Sequence, residues 1–140
     1  MLGLERFRSA QDRGGVYERA LAELRAGAKR THWMWFVFPQ LAGLGRSETA
    51  RAYAISSLAE AREYLADPLL GARLRDCAAA LLGCGERDAE RVLGPVDAVK
   101  LRSSMTLFAL ADPDEPLFAD VLDRFFSGER DGATLELLGS

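Results

Sequence analysis

The sequence predicts an all-α fold, a single multihelical domain over residues 1–140 with about seven short helices. Most segments place apolar residues three or four positions apart, the spacing that one buried helix face requires. Glycine, proline and capping residues separate these segments at short intervals. The most strand-like stretch, 36–38, is short and is followed directly by Pro39, so no sheet is predicted.

The first two helices follow from apolar spacing. A short helix is predicted from Leu4 to Gln11. The next helix has apolar residues at i, i+3, i+4 and i+7 between Tyr17 and Leu24, with charged residues between them. Gly27 ends it, because glycine readily adopts the left-handed conformation that often follows a helix.

Capping signals predict the later helices. Ser57 and Glu60 have the spacing of a capping box, in which two side chains accept hydrogen bonds from free backbone amides at a helix start. Asp67 precedes Pro68, and proline is favoured in the first turn of a helix. The predicted helix starts after Gly27 are Ser47, Ser57, Asp67, Ala89, Asp97, Pro116 and Asp131.

The composition is ordinary for a soluble globular protein. Charged residues make up 28% of the chain and hydrophobic residues 49%. The net charge of -3 argues against broad nucleic-acid binding. No apolar run approaches the roughly 20 residues of a membrane helix, and residues 1–6 lack the pattern of a secretory signal. We therefore expect a cytoplasmic protein without a membrane partner or a cofactor, and a homodimer is left open.

The segment 29–40 is the most unusual part of the sequence. It contains the only histidine and both tryptophans, and an uninterrupted apolar run extends from Trp33 to Pro39. A core, a ligand or a partner can keep such a run out of water. Trp33 and Trp35 could form a wall on which a ring stacks, anchor a partner, or lie in the core. Gln40 could hold its amide toward a ligand or cap the next turn.

His32 is the candidate general base of this segment. A histidine can accept a proton near neutral pH or donate to an anion, and the neighbouring Lys29 favours an anionic ligand. A histidine that merely fixes the turn through a backbone carbonyl is the structural alternative. With a single histidine and no carboxylate or thiol at ligand spacing beside it, no metal site is predicted.

A second candidate segment is 100–108. Lys100 and Ser104 are four residues apart on one helix face, and Ser103 lies close to that stripe. A lysine with hydroxyls could contact a phosphate or another anion, and Ser104 with Lys100 could form a nucleophile pair. Alternatively, the hydroxyls, including that of Thr106, bond to carbonyls one turn earlier in the helix.

Three motifs make this sequence similar to a known family. The motifs are Lys29-x-x-His-Trp-Met-Trp-Phe-Val-Phe-Pro-Gln-Leu41, Tyr53-Ala-Ile55 and Lys100-Leu-x-Ser-Ser-Met-Thr-Leu-Phe108. On these residues the chain resembles the bacterial family numbered 1810 among the domains of unknown function. The resemblance implies a mainly α-helical, stand-alone domain and no demonstrated activity. Some members carry the automatic label calpastatin, but calpastatin-type inhibitors are largely disordered, whereas this composition indicates a folded chain.

Two functional hypotheses follow. In the first, the protein binds a small anionic or nucleotide-like ligand, with hydrolase or transferase activity left open. In the second, it is a non-enzymatic protein–protein interaction module anchored by Trp33 and Trp35. The predicted site residues are His32 and Ser104 for catalysis, and Lys29, Trp33, Trp35, Gln40, Lys100, Ser103 and Thr106 for ligand binding.

Overall fold

The computed structural model describes residues 3–139 and confirms the all-α fold. Short loops join its helices, and no β-strand occurs within this range. No helix of this range combines the length and apolar character that crossing a membrane requires. In chain order the helices are α1 (Glu5–Asp12), α2 (Val16–Ala26), α3 (Met34–Val37), α4 (Glu48–Ala52), α5 (Leu58–Ala66), α6 (Pro68–Gly83), α7 (Ala89–Leu93), α8 (Pro95–Ala111), α9 (Pro116–Phe126) and α10 (Gly132–Leu137).

The capping residues begin helices as their spacing predicts. The hydroxyl of Ser57 accepts a hydrogen bond from the Glu60 amide at 3.1 Å, and the Glu60 carboxylate accepts from the Ser56 amide at 2.9 Å. The Asp67 carboxylate accepts from the Leu70 amide at 2.9 Å. These bonds satisfy amides that the first turn of a helix leaves without helical partners. The single-turn helix α3, inside the segment 29–40, has no such signal and was not predicted.

Helix α8 is the central helix of the core. It packs against α5, α7, α9 and α10, and its apolar residues Leu101, Met105 and Phe108 are fully buried. The ring of Phe108 contacts those of Tyr64 on α5 and Phe118 on α9, at centroid distances of 5.4 and 5.9 Å. Polar side chains on α8 therefore lie against protein rather than water along much of the helix.

The loop between α3 and α4 is tied to the residues that precede α5. The amide of Ala42 donates to the carbonyl of Ile55, and the amide of Ile55 donates to the carbonyl of Gln40, both at 2.8 Å. A Cβ on Gly45 would lie 2.4 Å from the Cβ of Ala50, so glycine is required for this close approach. These contacts arrange α3, the loop and α4 around a small hollow beside α8.

Candidate functional site

The carboxylate of Glu23, on α2, holds the start of the aromatic segment. Its Oε1 atom accepts hydrogen bonds from the backbone amides of Arg30 at 2.7 Å and Thr31 at 3.0 Å. The same atom accepts from the indole Nε1 of Trp33 at 2.9 Å, while Oε2 accepts from the Thr31 hydroxyl at 2.7 Å. These bonds fix the turn that leads into α3 and satisfy the only donor of the buried indole.

These bonds also determine the protonation of Glu23. Burial by itself would raise the pKa, but the hydrogen bonds from Arg30, Trp33 and Thr31 outweigh burial and lower the pKa from 4.5 to about 2. Glu23 is therefore ionised at neutral pH and holds the turn as a charged acceptor. Sequence reasoning missed it, because nothing in the sequence distinguishes it from the other acidic residues on polar helix faces.

The buried amide of Gln11, on α1, holds α3. Its Nε2 atom donates to the carbonyl of Phe36 at 2.7 Å and to the hydroxyl of Tyr64 at 3.1 Å. Its Oε1 atom accepts from Arg73 at 3.2 Å, and the whole side chain is only 1% exposed. Side chains of α1 and α2 therefore hold the aromatic segment at two places.

The two candidate segments meet through Asp97, in the first turn of α8. Its Oδ2 atom lies 3.0 Å from Lys29 Nζ, and its Oδ1 atom lies 3.5 Å from Lys100 Nζ. Each ammonium also lies over an indole ring. The Lys29 ammonium is 5.2 Å from the ring centroid of Trp33, and the Lys100 ammonium is 4.9 Å from that of Trp35. The segments are thus adjacent, with one carboxylate shared by two lysines.

Between the segments lies a small cavity, which we call the aromatic hollow. Its wall includes Trp35, Phe38, Gln40, Tyr53 and Lys100. The cavity volume is about 10 Å³, which is room for roughly one water molecule. The side-chain amide of Gln40 and the hydroxyl of Tyr53 belong to residues of this wall. The hollow therefore combines a cation, aromatic faces and two polar side chains.

Three predicted ligand-binding residues, Trp35, Gln40 and Lys100, line the aromatic hollow. Lys29 lies beside them, since it shares its carboxylate partner with Lys100. Trp33 does not contribute to the wall. It is 1% exposed and lies in the hydrophobic core.

The two predicted catalytic residues are not brought together at the hollow. His32 is exposed in the turn before α3 and does not line the cavity. Ser104 follows Lys100 by one helical turn but is 0% exposed, and its hydroxyl has no hydrogen-bond partner within the described residues. A nucleophile needs a base within hydrogen-bond reach and access to substrate, and this arrangement supplies neither.

The hydroxyls of Ser103 and Thr106 bond to carbonyls one turn earlier in α8, as the structural alternative predicted. Ser103 donates to the carbonyl of Val99 at 3.2 Å, and Thr106 donates to the carbonyl of Arg102 at 2.8 Å. Thr106 also accepts from the amide of Asp131 at 2.9 Å, which ties α8 to the start of α10. The hydroxyls of both residues therefore bond within α8 or between α8 and the start of α10, and neither residue lines the hollow.

Sequence reasoning missed Asp97 and Tyr53 as residues of this region. The spacing of Asp97 and Lys100, three residues apart on one helix, was a signal for their contact. For Tyr53 the signal was its place in the second family motif. Its ring packs against Phe36 at 4.7 Å and Phe7 at 5.9 Å between centroids, so it joins the wall of the hollow to the core.

Comparison with known proteins assigns the sequence to a family. The family described as "Protein of unknown function (DUF1810)" matches residues 1–138. The chain belongs to the DUF1810 family. It is similar to the conserved hypothetical protein Rv1873 from Mycobacterium tuberculosis, whose crystal structure was determined at 1.38 Å. The two chains are 48% identical, with a TM-score of 0.93 over 97% of this chain and 96% of that one. No curated protein matches the chain.

The DUF1810 match confirms the family resemblance seen in the three sequence motifs. The similarity to Rv1873 extends over nearly the whole fold. Neither the family description nor the description of Rv1873 names an activity.

Proposed function

We propose that this DUF1810 protein binds a small anion that carries a flat ring, at the aromatic hollow. The main support is the Lys100 ammonium, 4.9 Å from the ring centroid of the half-buried Trp35. A cation beside an aromatic face can pair with the charge of a ligand while the indole stacks on its ring. Gln40 and Tyr53 would add hydrogen bonds that orient the ligand.

The sequence segment that supplies most of the wall is basic although the whole chain is acidic. Segment 24–59, which supplies most of the wall, has an excess of positive charge, whereas segment 112–139 is strongly acidic. Such asymmetry attracts anions to one part of a protein despite an unfavourable net charge. The charged residues of segment 24–59 are Arg25, Lys29, Arg30, Arg46, Arg51 and Glu48.

A ring enters only if part of the wall moves, because the cavity of about 10 Å³ is too small for it, and we assign this movement to the Lys100 side chain. The movement costs little free energy. The ion pair with Asp97 is partly exposed and contributes about 0–1 kcal/mol, and the contact with Trp35 about 0.5–1 kcal/mol. Together they would reduce the affinity about tenfold, which a charged ligand can offset through its own pairing with Lys100.

We limit the proposed activity to binding. Among the described residues that line the hollow, Lys100 is the one side chain that is charged at neutral pH. His32 and Ser104 lie outside the wall, and none of the described residues that form the wall carries a carboxylate. The hollow therefore has the groups that recognise an anion but lacks a general base for hydrolysis or transfer.

The interaction-module hypothesis is less well supported. It requires two exposed indoles, but Trp33 is 1% exposed. Trp35 is partly covered by the Lys100 ammonium and by Phe36, whose ring centroid lies 6.1 Å away. A single half-buried indole does not form an apolar patch of the size that docks a partner.

Phenyl phosphate tests the proposal, since it combines an anion with one ring. Stabilisation against heat should appear with phenyl phosphate, weaken with inorganic phosphate and be absent with phenol. At 100 times the dissociation constant, the ligand should add about 2.7 kcal/mol to the free energy of unfolding. Lys100→Met should weaken binding at least about tenfold, the usual value of a charge-assisted contact.

Arg130→Met is the matched control for Lys100→Met. Arg130 is exposed and adjoins Asp131, which contacts the later part of α8, so the substitution removes one positive charge away from the hollow. It should leave the affinity for phenyl phosphate unchanged. If phenyl phosphate stabilises the Lys100→Met variant as much as the unsubstituted protein, the hollow is not the binding site.

A further inference from the structure

Asp97 contacts the two lysines of the sequence unequally. Its Oδ2 atom lies 3.0 Å from Lys29 Nζ, whereas its Oδ1 atom lies 3.5 Å from Lys100 Nζ. The side chain of Lys29 is 10% exposed and that of Lys100 is 23% exposed. Lys29 therefore holds the carboxylate closely, and Lys100 is its looser and more accessible partner.

Lys29 is itself fixed by its surroundings. Its backbone amide donates to the carbonyl of Val92, at the end of α7, at 2.7 Å. Its ammonium lies 5.2 Å from the ring centroid of Trp33, whose indole N–H is bound by Glu23. The Asp97 carboxylate is thereby kept beside Lys100, whose side chain is the more exposed of the two lysines.

We infer that Asp97 is an internal counter-ion, which occupies the anion position at Lys100 in the free protein and which an anionic ligand displaces. Because it concerns the same lysine and the same hollow, this role rests on the proposed function. Asp97 does not line the hollow, so it acts on the ligand through Lys100 as a positioning residue. By competing for Lys100, Asp97 lowers the affinity of the free protein for an anionic ligand.

The unequal contacts predict effects of opposite sign for two substitutions. Asp97→Asn removes the competing charge at nearly constant shape, so phenyl phosphate should bind about threefold to fivefold tighter. Lys29→Met frees the Asp97 carboxylate to pair more closely with Lys100, so phenyl phosphate should bind more weakly by a similar factor. A purely structural role of this ion cluster would weaken binding in both variants.

The small number of lysines allows a direct observation of the displacement. Lys29 and Lys100 are the only lysines in the sequence, so reductive methylation with carbon-13 labels two side chains besides the N-terminal amine and retains their charge. Each ammonium lies over an indole, and both methyl signals should therefore be shifted upfield in the free protein. Phenyl phosphate should move the Lys100 signal and leave the Lys29 signal in place.

The test is a calorimetric titration of phenyl phosphate into the unsubstituted protein, Asp97→Asn and Lys29→Met, with circular dichroism to establish that each variant is folded. Tighter binding by the first variant and weaker binding by the second support the counter-ion role. If the unsubstituted protein binds and Asp97→Asn binds equally or more weakly, the role is overturned but the binding site is not. If the unsubstituted protein does not bind and the Lys100 signal does not move, both are overturned.

If a variant fails to fold, the Lys100 signal of the unsubstituted protein still tests the counter-ion role of Asp97. An upfield Lys100 signal that phenyl phosphate shifts in the unsubstituted protein supports the displacement. A Lys100 signal at the position of free dimethyl-lysine before any ligand is added contradicts the contact with Trp35, and with it the fixed counter-ion arrangement.

Discussion

The hydrogen bonds of Glu23 predict a loss of stability when its charge is removed. Glu23→Gln keeps the size of the side chain and one oxygen, which can still accept from the Arg30 amide and the Trp33 indole. The new NH₂ group replaces the oxygen that accepts from the Thr31 hydroxyl at 2.7 Å. The substitution therefore weakens several charge-assisted bonds at once and leaves the packing of the turn nearly unchanged.

The magnitude follows from the pKa of Glu23, which the hydrogen bonds lower from 4.5 to about 2. At 1.36 kcal/mol per pKa unit, that difference corresponds to about 3 kcal/mol. Solvent screening at this partly exposed carboxylate reduces the contribution to about 1–2 kcal/mol. With a urea dependence of about 1–3 kcal/mol per molar, the unfolding midpoint of Glu23→Gln should fall by roughly 0.5–1 M at pH 7.

The effect should decrease in acid. Because folding lowers the pKa of Glu23, the unfolded chain binds more protons than the folded one between the two pKa values. The free energy of unfolding therefore decreases as the pH is lowered through this range. The contribution is complete above about pH 4.5 and decreases to less than about half by pH 3. Glutamine does not titrate, so the difference between the two proteins isolates the carboxylate of Glu23.

The assay is urea unfolding of the unsubstituted protein and of Glu23→Gln at a series of pH values from 7 to 3. Glu18→Gln, the same substitution at an exposed position of α2, is the matched control and should change stability by less than about 0.5 kcal/mol at every pH. A difference between Glu23→Gln and the unsubstituted protein that stays constant down to pH 3 would refute the assignment of the effect to the charge. The absence of any difference at pH 7 would refute this assignment as well.

Two further substitutions test the interior. Gln11→Leu leaves the Phe36 carbonyl and the fully buried Tyr64 hydroxyl without the amide that donates to them, so the free energy of unfolding in urea should fall by about 2–3 kcal/mol. A loss below about 0.5 kcal/mol would show that this amide does not hold α3. Ser104→Ala removes a buried hydroxyl that has no partner among residues 3–139, so stability should stay the same or rise by up to about 1 kcal/mol. A melting temperature lowered by more than about 3 °C would contradict this.

The sequence by itself determined the helices other than α3 and most of their limits. Ser57 with Glu60 and Asp67 with Pro68 are local signals, because a cap bonds amides within three residues of its own position. The buried face of α8, with Leu101, Met105 and Phe108, likewise follows from the helical period. These features depend on interactions between near neighbours along the chain, so they can be derived without knowing the fold.

The tertiary structure alone decided which polar groups meet. Lys100 lies over Trp35 and shares Asp97 with Lys29 because α8 packs beside the aromatic segment, and no local pattern encodes that contact. It also decided that Trp33 is buried against Glu23 while Trp35 lines the hollow, although both belong to one apolar run. Contacts between residues distant in sequence arise from the packing of whole helices, so the site became visible only once the helices were placed.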